Sequence, residues 1–425
     1  MSDIRGPGRA PGRVPGRVAA LVRRVAAATP AGRDRGMDAL RAAAILGVVL
    51  GHWLVTALVS EGGALHGASP LTHQPWLAPV SWVFQTLAVF FLVGGYVAAR
   101  GLGPVSGRRP LGEGLCGPGS GRGSVPSYGP WLRARLVRLF RPVAAVLALW
   151  SVATLGLLAG GTDLGTVRTL LKLVLSPLWF LLVFGALTAL TPLVARLHPL
   201  WPLAVVVHVD LWRFGLDGPE WLGWINLVAG WLVPYCLGAA WARGRLGDPA
   251  GVRATGVVLL AGGAVTTAVL VVLGGYPASM VGVPGTAVSN LNPPTLAAVT
   301  FGLAQCGLAL LLHGPLNRAM RRPLLWTGVT LGNLSALTVF LWHQTALLAV
   351  TACGLLADTT LPGLHTVPDG PGWILARLAW LPVFALALAV CWTAFHGIEH
   401  GRGSRGTTAV VRVHRPAREG AKRHV

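Results

Sequence analysis

LRAAAILGVVLGHWL, residues 40–54, decides how the chain is to be read. Only Arg41 and His52 in it are ionisable; every residue between them is Ala, Ile, Leu, Gly or Val. With its flanks, over 38–59, the run is long enough to cross a hydrocarbon core of about 30 Å as one helix. Ionisable groups at that depth are costly, and they face a bundle interior or a water-filled cavity rather than lipid. Eleven residues make almost three helical turns, so Arg41 and His52 share a face within about 20° and stand about 16.5 Å apart along the axis. Asp38 precedes Arg41 by three residues and is placed to pair with it. Gly47 and Gly51 form a small-xxx-small pair that admits a close neighbour beside His52. Two roles are open to this pair. One is structural, with His52 hydrogen-bonded across helices and Arg41 snorkelling to headgroups; the other is chemical.

The rest of the chain follows the same pattern. It has 425 residues, 53% hydrophobic and 12% charged, with a mean hydropathy of +0.62. A soluble protein carries about 25% charged residues. Continuous rather than alternating apolar runs exclude a β-barrel. The expectation is therefore an all-α polytopic bundle of about ten transmembrane helices, over roughly 38–59, 78–99, 142–160, 174–195, 199–214, 221–242, 254–274, 294–313, 331–356 and 373–397. The fifth is the weakest, being short and holding His208, Asp210 and Arg213.

The net charge of +21 raises the question of a nucleic-acid partner. With the N-terminus inside, 30 of the 35 Lys and Arg residues fall in inner segments and three in outer ones. That asymmetry predicts both termini in the cytoplasm and assigns the charge to anionic lipid rather than nucleic acid. Residues 1–36 form a basic cytoplasmic segment in which RVAALVRRVAAA, 17–28, is either a basic surface helix or disordered. Residues 37–400 form the membrane domain, interrupted by a Gly/Pro/Ser/Arg-rich cytoplasmic linker at about 100–131. Residues 401–425 form a basic tail. The five cysteines lack CxxC spacing, so buried free thiols are expected rather than a zinc or disulfide framework.

Several motifs occur in one order. RDRGMDALRAAAILGVVLGHWL (33–54), RARLVRLFRP (133–142), SPLWFLLVF (176–184), NLSALTVFLWHQ (333–344) and FHGIEH (395–400) resemble successive landmarks of the acyltransferase-3 family of integral membrane acyltransferases. The first carries an arginine, ten residues and a histidine; the last carries a closing glutamate, here Glu399. Two positions depart from the family pattern. Arg141 stands where a proline usually follows the RxxR pair, which leaves the register as Arg135 with Arg138 or Arg138 with Arg141. His400 replaces the proline after the closing glutamate.

The resemblance implies acyl transfer in a multi-pass plasma-membrane protein. A cytoplasmic acyl-CoA, often acetyl-CoA, would donate to a hydroxyl of a glycan, lipid or metabolite. The residues suit that chemistry. A hydroxyl attacks a thioester poorly until a base takes its proton, and His52 is the candidate base. Arg41, Arg135 and Arg138 suit the donor's phosphates, and Trp179 either packs on the donor or fills the core. His343 either lines the acceptor side or makes an interhelical hydrogen bond. Asn290, in the loop SNLNPP (289–294), either binds acceptor hydroxyls or serves turn chemistry. No metal is expected: HGIEH (396–400) matches an inverted zinc-peptidase pattern, but two glycines and a basic tail give it the wrong context. A proton-coupled secondary transporter is the alternative that the same intramembrane residues allow.

Overall fold

The computed structural model describes residues 16–102, 128–286, 288–357 and 360–400, the last two without their side chains. The fold is an all-α membrane bundle, and among the described residues nine helical segments are long and apolar enough to cross a bilayer. A basic helix α1 (Gly16–Ala28) precedes the Arg41–His52 helix α2 (Arg35–Val55). Then come α3 (Leu87–Gly101), α4 (Tyr128–Ala159), α5 (Leu164–Leu175), α6 (Leu178–Ala189) and α7 (Leu200–Asp210). The second half holds α8 (Asn226–Ala242), α9 (Pro249–Val272), α10 (Leu296–Ala319), α11 (Pro323–Leu334), α12 (Ala336–Gly354) and α13 (Pro371–His400). Acidic or hydroxyl side chains start several of them by accepting a backbone N–H of the first turn: Asp34, Asp163, Asp248 and Thr295.

The helices sort by exposure. Those around the centre bury Phe91 and Leu92 (α3), Leu187 (α6), Tyr235 and Cys236 (α8) and Trp342 and Leu347 (α12) almost completely. Phe90, Phe91, Phe180, Phe184, Trp231 and Phe340 make edge, tilted and stacked contacts there. By contrast α4, α9 and α13 turn Val152, Val258 and Leu386 outward at 67–69% exposure. In water such a surface is a liability; in lipid it is the solvated face.

Four features differ from the sequence expectation. The fifth apolar run forms α7 and a following π-turn to Gly215; its sixteen residues reach about 24 Å, short of the hydrocarbon core. Helix α4 begins at Tyr128, well before residue 142, because RARLVRLFR is built of good helix formers that continue through Pro142. Most of the expected linker, 103–127, lies outside the described residues, as do Cys116 and the tail 401–425. The third difference is a hairpin directly after α2: β1 (Ala57–Glu61) pairs antiparallel with β2 (Ala64–Ala68), Ala57 opposite Ala68. Gly62 and Gly63 take φ of 58° and 80°, as a two-residue primed turn requires. Finally, Cys353 is exposed, whereas Cys236 and Cys306 are the buried thiols.

Candidate active site

Helix α2 carries the site, and its two ends are held differently. At the arginine-rich end Asp34 caps the helix by accepting Met37 N at 3.1 Å. The same carboxylate takes His313 Nε2 at 2.9 Å and Tyr96 OH at 3.0 Å. Burial pushes the Asp34 carboxyl up, but the His313, Met37 and Tyr96 hydrogen bonds outweigh it and hold the carboxyl at about 2, below its ordinary 3.8. A depressed carboxyl contributes stability that is full above its unfolded value and is lost as pH falls through its folded value. Discounted for solvent screening, that contribution is about 1–2 kcal/mol. Asp34→Asn should therefore lower thermal stability at neutral pH. It should also flatten the stability loss that the wild-type protein shows between pH 3.8 and about 2; unfolding followed by circular dichroism in detergent reads both.

One turn further on, Asp38 is 7% exposed and lies between two arginines. Arg33 Nε and Nη2 reach its oxygens at 2.5 and 2.8 Å, and Arg41 Nη2 reaches one at 3.3 Å. The expected Asp38–Arg41 pair is thus present. Arg41 Nε also donates to Asn333 Oδ1 at 2.8 Å, while Asn333 Nδ2 donates to Asp38 O at 2.8 Å. The Arg41 side chain keeps 31% exposure, so its orientation is fixed without its surface being closed. On α4 the Arg135 guanidinium lies 4.5 Å above the Trp131 ring, within electrostatic range of Arg138 and Tyr235. Arg138 and Arg141 are exposed. Helix α4 sets Arg135, Arg138 and Arg141 at successive three-residue steps, so both RxxR registers are neighbouring pairs on it.

Eleven residues along, His52 meets His343 of α12. His52 Nδ1 and His343 Nε2 are 2.6 Å apart, and the rings stack at 4.8 Å with 10° between planes. His343 is completely buried, and its Nδ1 lies 2.6 Å from Phe340 O. A carbonyl only accepts, so His343 Nδ1 carries a hydrogen. In the neutral ring His343 Nε2 then accepts, and His52 Nδ1 must donate to it. This assigns both protons from hydrogen-bond partners and leaves the lone pair of neutral His52 on Nε2. His52 itself is only partly buried. Trp53 Nε1 donates to His343 O at 3.0 Å and fixes the two helices in register. The Gly47 and Gly51 expectation takes a specific form: a Cβ on either would stand 2.7 Å from Thr86 Oγ1 or 2.9 Å from Phe84 Cβ, so the chain leading into α3 packs directly against α2.

Sequence reasoning overlooked Arg377. It is 1% exposed on α13 and ends α2: its Nε donates to Trp53 O at 2.6 Å, its Nη2 to Thr56 O, and its Nη1 to Gly363 O at 2.8 Å. Trp53 and Thr56 flank the last turn of α2, where unpaired carbonyls and the negative helix end favour a cation. The available signal was an arginine inside an apolar span, a placement that calls for internal partners.

Two further predicted residues lie apart from the dyad. Trp179 is half-buried and belongs to the aromatic core, with its ring 6.1 Å from Trp231. Asn290 is completely buried, and its amide is consumed locally: Nδ2 donates to Pro277 O and Ser279 O, and Oδ1 accepts from Thr295 Oγ1 at 2.6 Å. That is turn chemistry, the second of the two roles the sequence allowed. The side chain of Glu399 lies outside the described residues.

Compared with known families, residues 34–396 match the model of a family described as an acyltransferase domain. No curated protein and no solved structure matches the chain.

Proposed function

The chain belongs to the acyltransferase-3 family and is a multi-pass membrane protein of acyltransferase type; from that premise we propose that it moves an acyl group from acyl-CoA to a hydroxyl, with His52 as the base. The observation that carries the proposal is the ordered chain from Phe340 O through His343 to His52, which consumes Nδ1 of a partly exposed imidazole and leaves its lone pair on Nε2. As the acceptor oxygen forms its bond to the thioester carbonyl, its proton passes to His52 Nε2. The tetrahedral intermediate collapses with cleavage of the C–S bond, and the imidazolium returns the proton to the departing thiolate. His52 ends neutral, ready for the next cycle. His343 accepts from His52 Nδ1–H throughout, which holds the ring and stabilises its charged form.

The donor's phosphates belong at the other end of α2. Arg41 is oriented by Asp38 and Asn333, and Arg135 with Arg138 adds a second cationic group. About 16.5 Å of helix separates Arg41 from His52, so one residue can hold the anionic end of an extended donor while the other meets its carbonyl. The concentration of arginine at the Arg41 end supports reading that end as cytoplasmic, the side where acyl-CoA is available. The donor in this reading is acetyl-CoA, and a glycan, lipid or metabolite hydroxyl serves as acceptor.

Purified protein should release free CoA from acetyl-CoA only when a hydroxyl acceptor is supplied. No acceptor-dependent release across a panel of sugars, glycans and lipid alcohols would overturn the proposal. Arg41→Ala should raise the donor KM about 10- to 100-fold with a smaller effect on kcat, as the loss of a charge-assisted phosphate contact predicts. An unchanged donor KM would remove Arg41 from the donor site.

A further inference from the structure

The basic helix α1 takes no part in the chemistry above. Its residues Val18, Leu21, Val22 and Val25 fall on one stripe, with Arg17, Arg23 and Arg24 off it. Two contacts fix where the helix sits. Val25 packs into a small cluster with Ala39, Met320 and Trp326, and Thr29 Oγ1, just past the helix, accepts from Trp326 Nε1 at 2.8 Å. The rest of the stripe is uncovered, with Val18 40% and Leu21 39% exposed. On the adjoining α11, Leu324 and Leu325 are 54% and 46% exposed.

Charge accompanies this apolar strip. Arg318, in the last turn of α10, and Arg321 and Arg322, between α10 and α11, are exposed next to the cluster that seats Val25. Together with Arg17, Arg23 and Arg24 they make six exposed arginines, and among the described residues none has an ion-pair partner. Helix α1 itself contains no acidic residue. Six unneutralised guanidinium groups rimming a row of exposed valines and leucines match a surface that is anionic at headgroup level and apolar just below.

We propose that α1 and the α10–α11 turn form a docking surface for anionic phospholipid headgroups, with the stripe of α1 sunk into the acyl boundary and the arginines on lipid phosphates. The surface joins α2 through residues 29–34, so lipid binding here also steadies the start of the helix that carries Arg41 and His52. The recognition needs no acyl transfer, and its test is separate from that of the catalytic proposal.

The test uses the full chain in nanodiscs of phosphatidylcholine with or without phosphatidylglycerol, reading amide hydrogen exchange over residues 16–28. Protection of α1 should appear with phosphatidylglycerol and decline as salt is raised. In Arg23→Gln/Arg24→Gln it should fall about 25-fold, at about fivefold per arginine for a charged surface. Equal protection in both lipids would overturn the proposal. So would protection induced in phosphatidylcholine discs by inorganic phosphate alone, which would identify a site for free anions instead of a lipid surface. A double variant that keeps full phosphatidylglycerol-dependent protection would also overturn it, by removing the arginines from the contact.

Discussion

His52→Ala is expected to abolish acceptor-dependent CoA release, with kcat falling about 10²- to 10⁴-fold while the protein inserts and purifies normally. The size follows from what is lost. A hydroxyl is a weak nucleophile toward a thioester, and removing its proton as the C–O bond forms is the part that general-base catalysis supplies. The donor KM should change little, because the phosphates are held about three turns away at Arg41. The alanine also deprives His343 Nε2 of its donor, yet that nitrogen sits next to space opened by the truncation, so folding is retained. Wild-type turnover in the variant would exclude His52 as the base.

His343→Ala should reduce kcat by about 10²-fold or more although His343 is completely buried and meets no substrate. His343 acts through His52. Without its Nε2, nothing holds the hydrogen of His52 on Nδ1, and the ring is free to adopt the other tautomer with its lone pair turned away from the acceptor. The conservative variant separates this from a packing defect. Glutamine places Oε1 near the position of His343 Nε2 and can accept from His52 Nδ1–H, so His343→Gln should recover a large part of kcat, whereas His343→Leu, of similar bulk, should not. Donor KM should stay constant across the three. Equal activity in the leucine and glutamine variants would reduce His343 to a core residue.

Much of this was legible before the fold. The spacing of Arg41 and His52 on an apolar run fixed a shared helix face, and the Asp38–Arg41 pair followed from helical periodicity. The all-α membrane architecture followed from composition and run length. What the sequence left open depended on distance along the chain. His52 and His343 are 291 residues apart, and no local period signals their contact. The same holds for Arg377, whose three carbonyl partners lie on the end of α2 and in the loop at Gly363. The hairpin over 57–68 was absorbed into the end of the first apolar run, although Gly62-Gly63 is a turn signal. For Asn290 the sequence left two roles open, and the hydrogen bonds to Pro277, Ser279 and Thr295 are those of turn chemistry. The start of α4 was hidden because its first turns share the Gly/Pro/Arg composition of the linker before it.

The family match fixes the class of enzyme, and the chemistry assigned to it rests on where two protons sit. Nitrogen-15 spectra of the histidine-labelled protein in bilayers report this directly, with the His52 and His343 signals identified by their loss in the single-residue variants. Both rings should be neutral and protonated on Nδ1, leaving His52 Nε2 bare. A His52 ring carrying its hydrogen on Nε2 would contradict the base assignment outright.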